Sequence, residues 1–366
     1  MLPAHLYQYF YLFIVTIATI ACVSEYKSVD SLRHKKSLVP PLLLLIFMIF
    51  FIGLRPIDLE FIDMFDMSFI MDLRKGQDFA FDWNADNLIY DNLYNYWCSK
   101  DYSKEYFFLI FSTIYFSGIF IATRKMFRLN TLLVFLIYLG AFSTFSFGTN
   151  GIKAGTAASL FLVAVAYRRK LYIAVPFMLL SLGVHHSMTL PIGAFIIAYF
   201  FKDRRYYLAF WFICLFLSAF HVTYFQELLS GYTDEQGASY LEIVDPDNAR
   251  SNGVTGFRPD FILYSAMPIF LGYYFFIKKE LWSSTFDFIW CIYVLCNGVW
   301  LLCTYASFTN RIAYLSWFIY PFVLAYPFVN FAWSDRQEMY LRMCVYLHLG
   351  FTIFMNTIYP IVKQII

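Results

Sequence analysis

Long apolar runs, separated by short polar segments, recur along the whole chain. Most of them approach the ~20 residues that an α-helix needs to cross ~30 Å of hydrocarbon. A β-barrel would instead show short segments in which apolar and polar residues alternate. The pattern therefore predicts an all-α, polytopic membrane bundle of about twelve transmembrane helices, within a range of about ten to thirteen because several runs are short. The predicted spans are 6–23, 38–54, 105–123, 131–148, 152–167, 171–184, 187–201, 206–223, 260–277, 286–305, 312–332 and 343–362.

The composition supports a membrane protein and narrows the chemistry. Of 366 residues, 60% are hydrophobic and 14% are charged, and the mean hydropathy is +0.59, which excludes a soluble domain. The first run lacks a preceding basic segment and a small-residue cleavage site, so we expect it to be retained rather than removed as a signal peptide. The sequence contains no Cys-x-x-Cys pair, so it indicates neither a disulfide framework nor a metal site. No phosphate-binding glycine loop, hydrolase motif or nucleic-acid-binding module occurs, so no nucleic-acid partner is expected.

Basic residues are divided unequally between the two sides of the predicted membrane. Seventeen of the 27 lysines and arginines fall in alternate connections on one side. The positive-inside rule makes that side cytoplasmic, and both termini are then expected outside. These residues are Lys27, Arg33, Lys35, Lys36, Arg124, Lys125, Arg128, Arg168, Arg169, Lys170, Lys202, Arg204, Arg205, Lys278, Lys279, Arg336 and Arg342.

The outer side carries two long connections, 55–104 and 224–259, which are rich in acidic and aromatic residues. Neither is long enough for a large independent domain, so we predict a single transmembrane domain, 1–366, with two external loops. Such loops are suited to lie on the membrane surface as amphipathic helices or to bind sugar rings. The aromatic candidates for sugar stacking are Trp83, Tyr90, Tyr94, Tyr96, Trp97 and Tyr232.

Four basic residues stand at the outer mouths of predicted spans, on the side that is otherwise poor in positive charge. They are Arg55, Lys153, Arg258 and Arg311. Charges inside a bilayer are costly, so such residues usually face the protein interior or a watery cavity. We expect the four to converge and to bind an anion. The simpler alternative is that each one snorkels to lipid headgroups or pairs with a neighbouring carboxylate.

Histidines and acids near these cations are the candidates for proton transfer. His185 and His186 close a short apolar span, and helical spacing would send their rings to different faces. A neutral imidazole beside cations suits a general base, which favours His186. Asp63, Glu105 and Asp260 also lie near outer span ends, where the alternative role is an ion pair that stabilises a loop.

Six short elements follow one another from about residue 50 to about residue 325. They are 53–63, 104–107, 150–155, 184–187, 257–261 and 310–314. The first has an arginine followed by an aspartate, the next three are similar to Glu-Pro-x-Phe, Asn-x-Ile-Arg-Gln-x and Phe-His-x-Ser, and the last two each contain an arginine. In this order they resemble the EpsG-like polysaccharide polymerases, relatives in function of the Wzy O-antigen polymerases. The chain departs from that pattern at Lys153 and Ala154, where arginine and glutamine are usual.

The resemblance implies a GT-C-like fold and a glycosyltransferase that joins undecaprenyl-diphosphate-linked oligosaccharides, donor and acceptor, on the outer face of the bacterial plasma (inner) membrane. We expect no cofactor and no metal, because the four cations would stabilise the leaving diphosphate. His186 or Asp63 would act as the base. Glu105, Asn150, Asp260 and His185 would support the site. Membrane lipid and a chain-length regulator protein are further expected partners.

Two other functions stay open at this stage. A flippase or transporter of lipid-linked saccharides would place charged residues near the middle of the bilayer. The centres of the predicted spans are almost free of charge, which favours the polymerase. An O-antigen ligase-type glycan transferase would use nearly the same chemistry as a polymerase.

Overall fold

The structure, a computed structural model, describes residues 2–34, 36–230 and 256–365. These residues form helices joined by turns and contain no extended sheet. The helices are α1 (Tyr7–Ser24), α2 (Val39–Gly53), α3 (Ile62–Leu73), α4 (Leu88–Ser99), α5 (Lys104–Met126), α6 (Thr131–Leu139), α7 (Phe142–Thr149), α8 (Ile152–Ala166), α9 (Leu171–Val184), α10 (Thr189–Phe200), α11 (Arg204–Ala219), α12 (Tyr224–Ser230), α13 (Pro259–Tyr273), α14 (Ser284–Leu302), α15 (Thr309–Trp317), α16 (Tyr320–Asn330), α17 (Gln337–Ile353) and α18 (Tyr359–Ile365).

Every predicted apolar run coincides with one helix or with two consecutive helices, which confirms an all-helical membrane fold. Among the described residues, six helical segments are long and apolar enough to cross a membrane, or up to seven if the bent pair α6 and α7 forms one span. The prediction of about twelve crossings therefore stays a prediction. The six segments are Ala4–Ser24, Lys104–Met126, Pro259–Lys278, Ser284–Leu302, Thr309–Asn330 and Gln337–Val362.

The segment predicted as the first external loop, 55–104, contains the short helices α3 and α4. The second, 224–259, begins with α12. Most of it, including Tyr232, lies outside the described residues. The helices group into two compact units, Met1–Thr189 with Phe328–Ile366, and Leu190–Pro327.

In the first unit, α8 packs against α5, α7 and α9. Small side chains permit this close approach, as is typical of helices that pack within a membrane. A Cβ atom on Gly118 of α5 would lie 2.8 Å from the carbonyl oxygen of Ser159 in α8. On the other side of α8, the Ser181 hydroxyl of α9 donates to the Ala157 carbonyl at 2.6 Å. The middle of α8 is thus held from both sides of the helix.

The pair α6 and α7 bends by 72° at a short break. Such a break leaves backbone carbonyls without helical partners, and a buried carbonyl needs another donor. Tyr11 of α1 donates to Leu139 O, and His348 and Thr352 of α17 donate to Ile137 O and Gly140 O, at 2.7 to 3.0 Å. These three hydrogen bonds therefore stabilise the bend, after which the chain continues through α7 to the start of α8.

In the second unit, α11, α14 and α15 are joined by a buried polar chain. The Trp211 indole donates to Asn297 Oδ1 at 2.8 Å, and Asn297 Nδ2 donates to the Ser316 hydroxyl at 3.2 Å. Side-chain hydrogen bonds of this kind stabilise helix pairs in lipid, where apolar burial between helices adds little.

Candidate functional site

Arg55 follows the end of α2. The sequence predicted that it lines an open outer mouth of a span, but the residue is buried, with 3% of its surface exposed. Its guanidinium donates to Ile52 O at 2.7 Å and to Thr149 O at 2.8 Å, and lies 5.1 Å from the Phe61 ring centroid. Burial lowers the pKa of Arg55 to about 9, while electrostatic interactions with Tyr7 and Asp63 oppose this shift, so the guanidinium stays protonated at neutral pH. These bonds tie the end of α2 to the end of α7.

A cavity of about 10 Å³ lies beside Arg55, among Phe108, Phe111, Ser112, Tyr115, Phe147, Gly148, Ile152 and Thr156. That volume holds about one water molecule. It is too small for a diphosphate. The position of Arg55 therefore suits a structural brace better than direct contact with a large anion.

Lys153 is the second residue of α8 and is partly exposed. Its Nζ lies 3.9 Å from Asp91 Oδ1 and 5.1 Å from the centroid of the Tyr90 ring. Asp91 and Tyr90 belong to α4, in the first external loop. The pairing holds the ammonium group at the junction of that loop and the helix, and the Lys153 side chain stays 29% exposed.

Asn87, the residue before α4, links this pair to the histidine doublet. Asp91 Oδ2 accepts from the backbone N–H of Asn87 at 3.0 Å and from its Nδ2 at 3.3 Å. Asn87 Oδ1 accepts from the backbone N–H of His186 at 3.1 Å. Lys153, Asp91, Asn87 and His186 therefore form one connected network within the first unit.

The two histidines lie closer together than the sequence predicted. Helix α9 ends at Val184, and His185 is extended, with φ −153° and ψ 119°. Helical spacing does not apply beyond that point, and the ring centroids are 5.1 Å apart. His185 Nδ1 accepts from the Ser187 N–H at 3.1 Å and so caps the short turn that follows.

The other predicted residues of the first unit occupy different environments. Asp63 is half-buried in the first turn of α3, and its charge acts on Arg55 and on Tyr90. Glu105 is exposed and accepts from the Ser103 hydroxyl. Asn150 Oδ1 is buried without a hydrogen-bond partner among the described residues.

In the second unit, Arg258 precedes α13 and forms a bidentate pair with Asp260, with Nε 3.0 Å from Oδ1. The Asp260 carboxylate thus contacts the Arg258 guanidinium through two hydrogen bonds. Its role in supporting a functional cation stays a prediction. The Gly256 N–H donates to Thr304 O at 2.8 Å, which ties the segment before Arg258 to the turn before α15. Arg311, in the first turn of α15, is exposed, and its guanidinium lies 5.1 Å from the Phe308 ring centroid.

Sequence reasoning singled out neither Asn87 nor Asp91. The only local signal was the position of Asn87 just before an amphipathic run. The assignment of Tyr90 and Tyr94 to sugar stacking was wrong, because both are buried against Phe107. They form the core between α4 and α5.

Helices long and apolar enough to cross a membrane, with charged networks at their ends, define a polytopic membrane protein. The chain belongs to the EpsG family, whose sequence profile matches residues 76–365. Membership confirms the resemblance and indicates a polysaccharide polymerase-like role. The matched part includes Lys153, His186 and Arg258, and begins after Arg55 and Asp63. No curated protein and no solved structure matches the chain, so the GT-C-like fold stays a prediction.

Proposed function

We propose that this protein is a glycosyltransferase that joins undecaprenyl-diphosphate-linked oligosaccharide repeat units into a polysaccharide. The observation that carries the proposal is the network of Lys153, Asp91, Asn87 and His186 inside a chain of the EpsG family. It connects a cation suited to a diphosphate with a histidine suited to proton transfer, at the outer end of two packed helices.

The reaction is a substitution at an anomeric carbon. A hydroxyl oxygen of the acceptor saccharide forms a bond to that carbon, and the bond from the carbon to the diphosphate oxygen of the donor breaks. The electron pair leaves with undecaprenyl diphosphate, and the hydroxyl proton passes to a base. His186 is the first candidate for that base, because histidine is the side chain that most often transfers protons in enzyme active sites. Asp63, whose charge acts on the buried Arg55, is the second candidate.

Cationic side chains stabilise the negative charge that develops on the leaving diphosphate. Lys153 in the first unit is one candidate for such a contact, and Arg258 and Arg311 in the second unit are two others, each considered by itself. Arg258 is held ready by Asp260, whose carboxylate fixes the plane of the guanidinium. Arginine carries a permanent charge and a fork of donors that matches phosphate oxygens, so the chemistry needs no metal ion in this proposal.

The outer face of a bacterial plasma membrane is the proposed location of the reaction. Lysine and arginine are in excess in alternate connections, which supports a cytoplasmic position for those connections. The remaining connections and both termini would then lie outside. Recognition of the repeat unit is assigned to exposed rings of the first external loop, above all Trp83, which is 78% exposed and lies against Phe81.

Complementation of a chromosomal deletion tests this function. The deletion strain receives the wild type, Arg258→Ala, His186→Ala or the control Arg205→Ala, and surface glycan length is compared on a gel at matched membrane expression. Arg205 is a suitable control because its side chain is 87% exposed and pairs with Asp203. We expect single-repeat glycans from the deletion and a full ladder with the wild type and the control, but no ladder with the other two variants.

The same experiment separates the alternatives. If the deletion removes surface glycan and lipid-linked repeats accumulate inside the cell, the protein is a flippase and the proposed reaction is wrong. If free lipid-linked polymer of normal length accumulates instead, the protein is a ligase.

A further inference from the structure

Asn87 breaks a local rule of helix capping. An asparagine just before a helix normally accepts a hydrogen bond from an N–H of the first turn of that helix. Asn87 is 3% exposed and makes no such bond to α4. Its oxygen accepts instead from His186, 99 residues further along the chain. The side-chain amide of Asn87 therefore serves a tertiary contact and does not cap α4.

Asp91 fixes the orientation of that amide. Its Oδ2 accepts from both the backbone N–H and the Nδ2 of Asn87, so the amide nitrogen faces Asp91 and the amide oxygen faces His186. The other oxygen of the same carboxylate lies 3.9 Å from Lys153 Nζ. One side chain of α4 therefore sets the position of the amide and of the ammonium group together.

We propose that Asn87 and Asp91 are positioning residues that hold His186 and Lys153 at a fixed spacing for glycosyl transfer. The inference rests on the proposed function. Asn87 acts through the backbone of His186, and so through the base. Asp91 acts through Lys153, and so through binding of the diphosphate. Helix α4 thereby joins the external loop to both groups.

A double-mutant cycle on the purified full-length protein tests the role of Asn87. The rate of polymer formation from a lipid-linked repeat unit is measured for the wild type, Asn87→Ala, His186→Ala and the double variant. We expect Asn87→Ala to lower kcat by about tenfold, the equivalent of one hydrogen bond, with KM within about twofold. The double variant should be no slower than His186→Ala, because both changes act on one group.

Asn92→Ala is the matched control. Asn92 lies on the same helix, is 4% exposed, and bonds to the backbone of Asp82 and Leu88. Its effect should add to that of His186→Ala. Asp91→Asn serves as a second variant, which keeps the size of the side chain and removes its charge. It should raise KM for the lipid diphosphate severalfold, and this rise should vanish in a Lys153→Ala background.

Additive effects of Asn87→Ala and His186→Ala, with equal losses for Asn87→Ala and Asn92→Ala, would overturn the positioning role and leave the proposed function intact. A wild-type protein that forms no polymer from the repeat unit would overturn the proposed function, and this inference with it. A melting temperature in detergent is measured for every variant, so that loss of fold is not read as loss of positioning.

Discussion

Replacement of Arg55 by leucine should destabilise the protein, because this side chain is a brace. Arg55→Leu removes the donors to Ile52 O and Thr149 O, which lie at 2.7 and 2.8 Å in a buried site. Hydrogen bonds from a charged donor contribute about 1.5–3 kcal/mol each, so the two together contribute about 3–6 kcal/mol. Leucine recovers part of this because no charge has to be desolvated. We expect a net loss of about 2–3 kcal/mol.

The assay is thermal unfolding of the purified protein in detergent, followed by the fluorescence of its eight tryptophans. For a unit of this size, 1 kcal/mol corresponds to about 2–4 °C, so a loss of about 2–3 kcal/mol should lower the unfolding midpoint by about 4–12 °C. Arg55→Lys keeps the positive charge but lacks the fork of guanidinium donors. Its unfolding midpoint should lie between those of the wild type and Arg55→Leu. Arg205→Leu is the control at an exposed position, and its unfolding midpoint should equal that of the wild type. If Arg55→Leu melts at the wild-type temperature and polymer formation is lost, Arg55 contacts the substrate and the brace is refuted.

Four further predictions concern packing, charge, recognition and metal. Gly155→Ala would place a Cβ atom 2.5 Å from the backbone oxygen of Phe147 and should destabilise the protein by about 1–3 kcal/mol. Gly350 has open space around it, so Gly350→Ala should stabilise its helix by up to about 1 kcal/mol. Chemical denaturation measures the free energy of unfolding of both variants. Arg258→Lys loses bidentate contact and should slow polymer formation about tenfold or more, and a wild-type rate would contradict a role in diphosphate binding. Trp83→Ala should raise KM by about 3- to 10-fold at unchanged kcat; an unchanged KM would remove Trp83 from sugar recognition. Addition of a chelator should leave the rate of the purified protein unchanged, and recovery of a lost rate by a divalent cation would show a metal requirement.

Much of the secondary structure was predictable from the order of apolar and polar residues. Backbone groups in lipid must be satisfied within their own segment, so a long apolar run has few alternatives to a helix. Lys153, His186 and Arg258 were also visible in advance, because few basic residues and histidines fall in the connections that the sequence predicts to be external. Local sequence could therefore nominate these residues without any knowledge of their partners.

Only the tertiary structure decided which side chains are buried and what they contact. Protein-facing and lipid-facing surfaces of a membrane helix are both apolar, so the sequence pattern does not distinguish them. Arg55 and Tyr90 looked like open loop residues and are buried. The sequence does not distinguish Asp91 from the other acids of its loop. In the structure, α4 packs against α9, and this packing brings Asn87, the partner of Asp91, to His186. Pairing across 99 residues depends on how helices pack, and that packing is absent from any local pattern of residues.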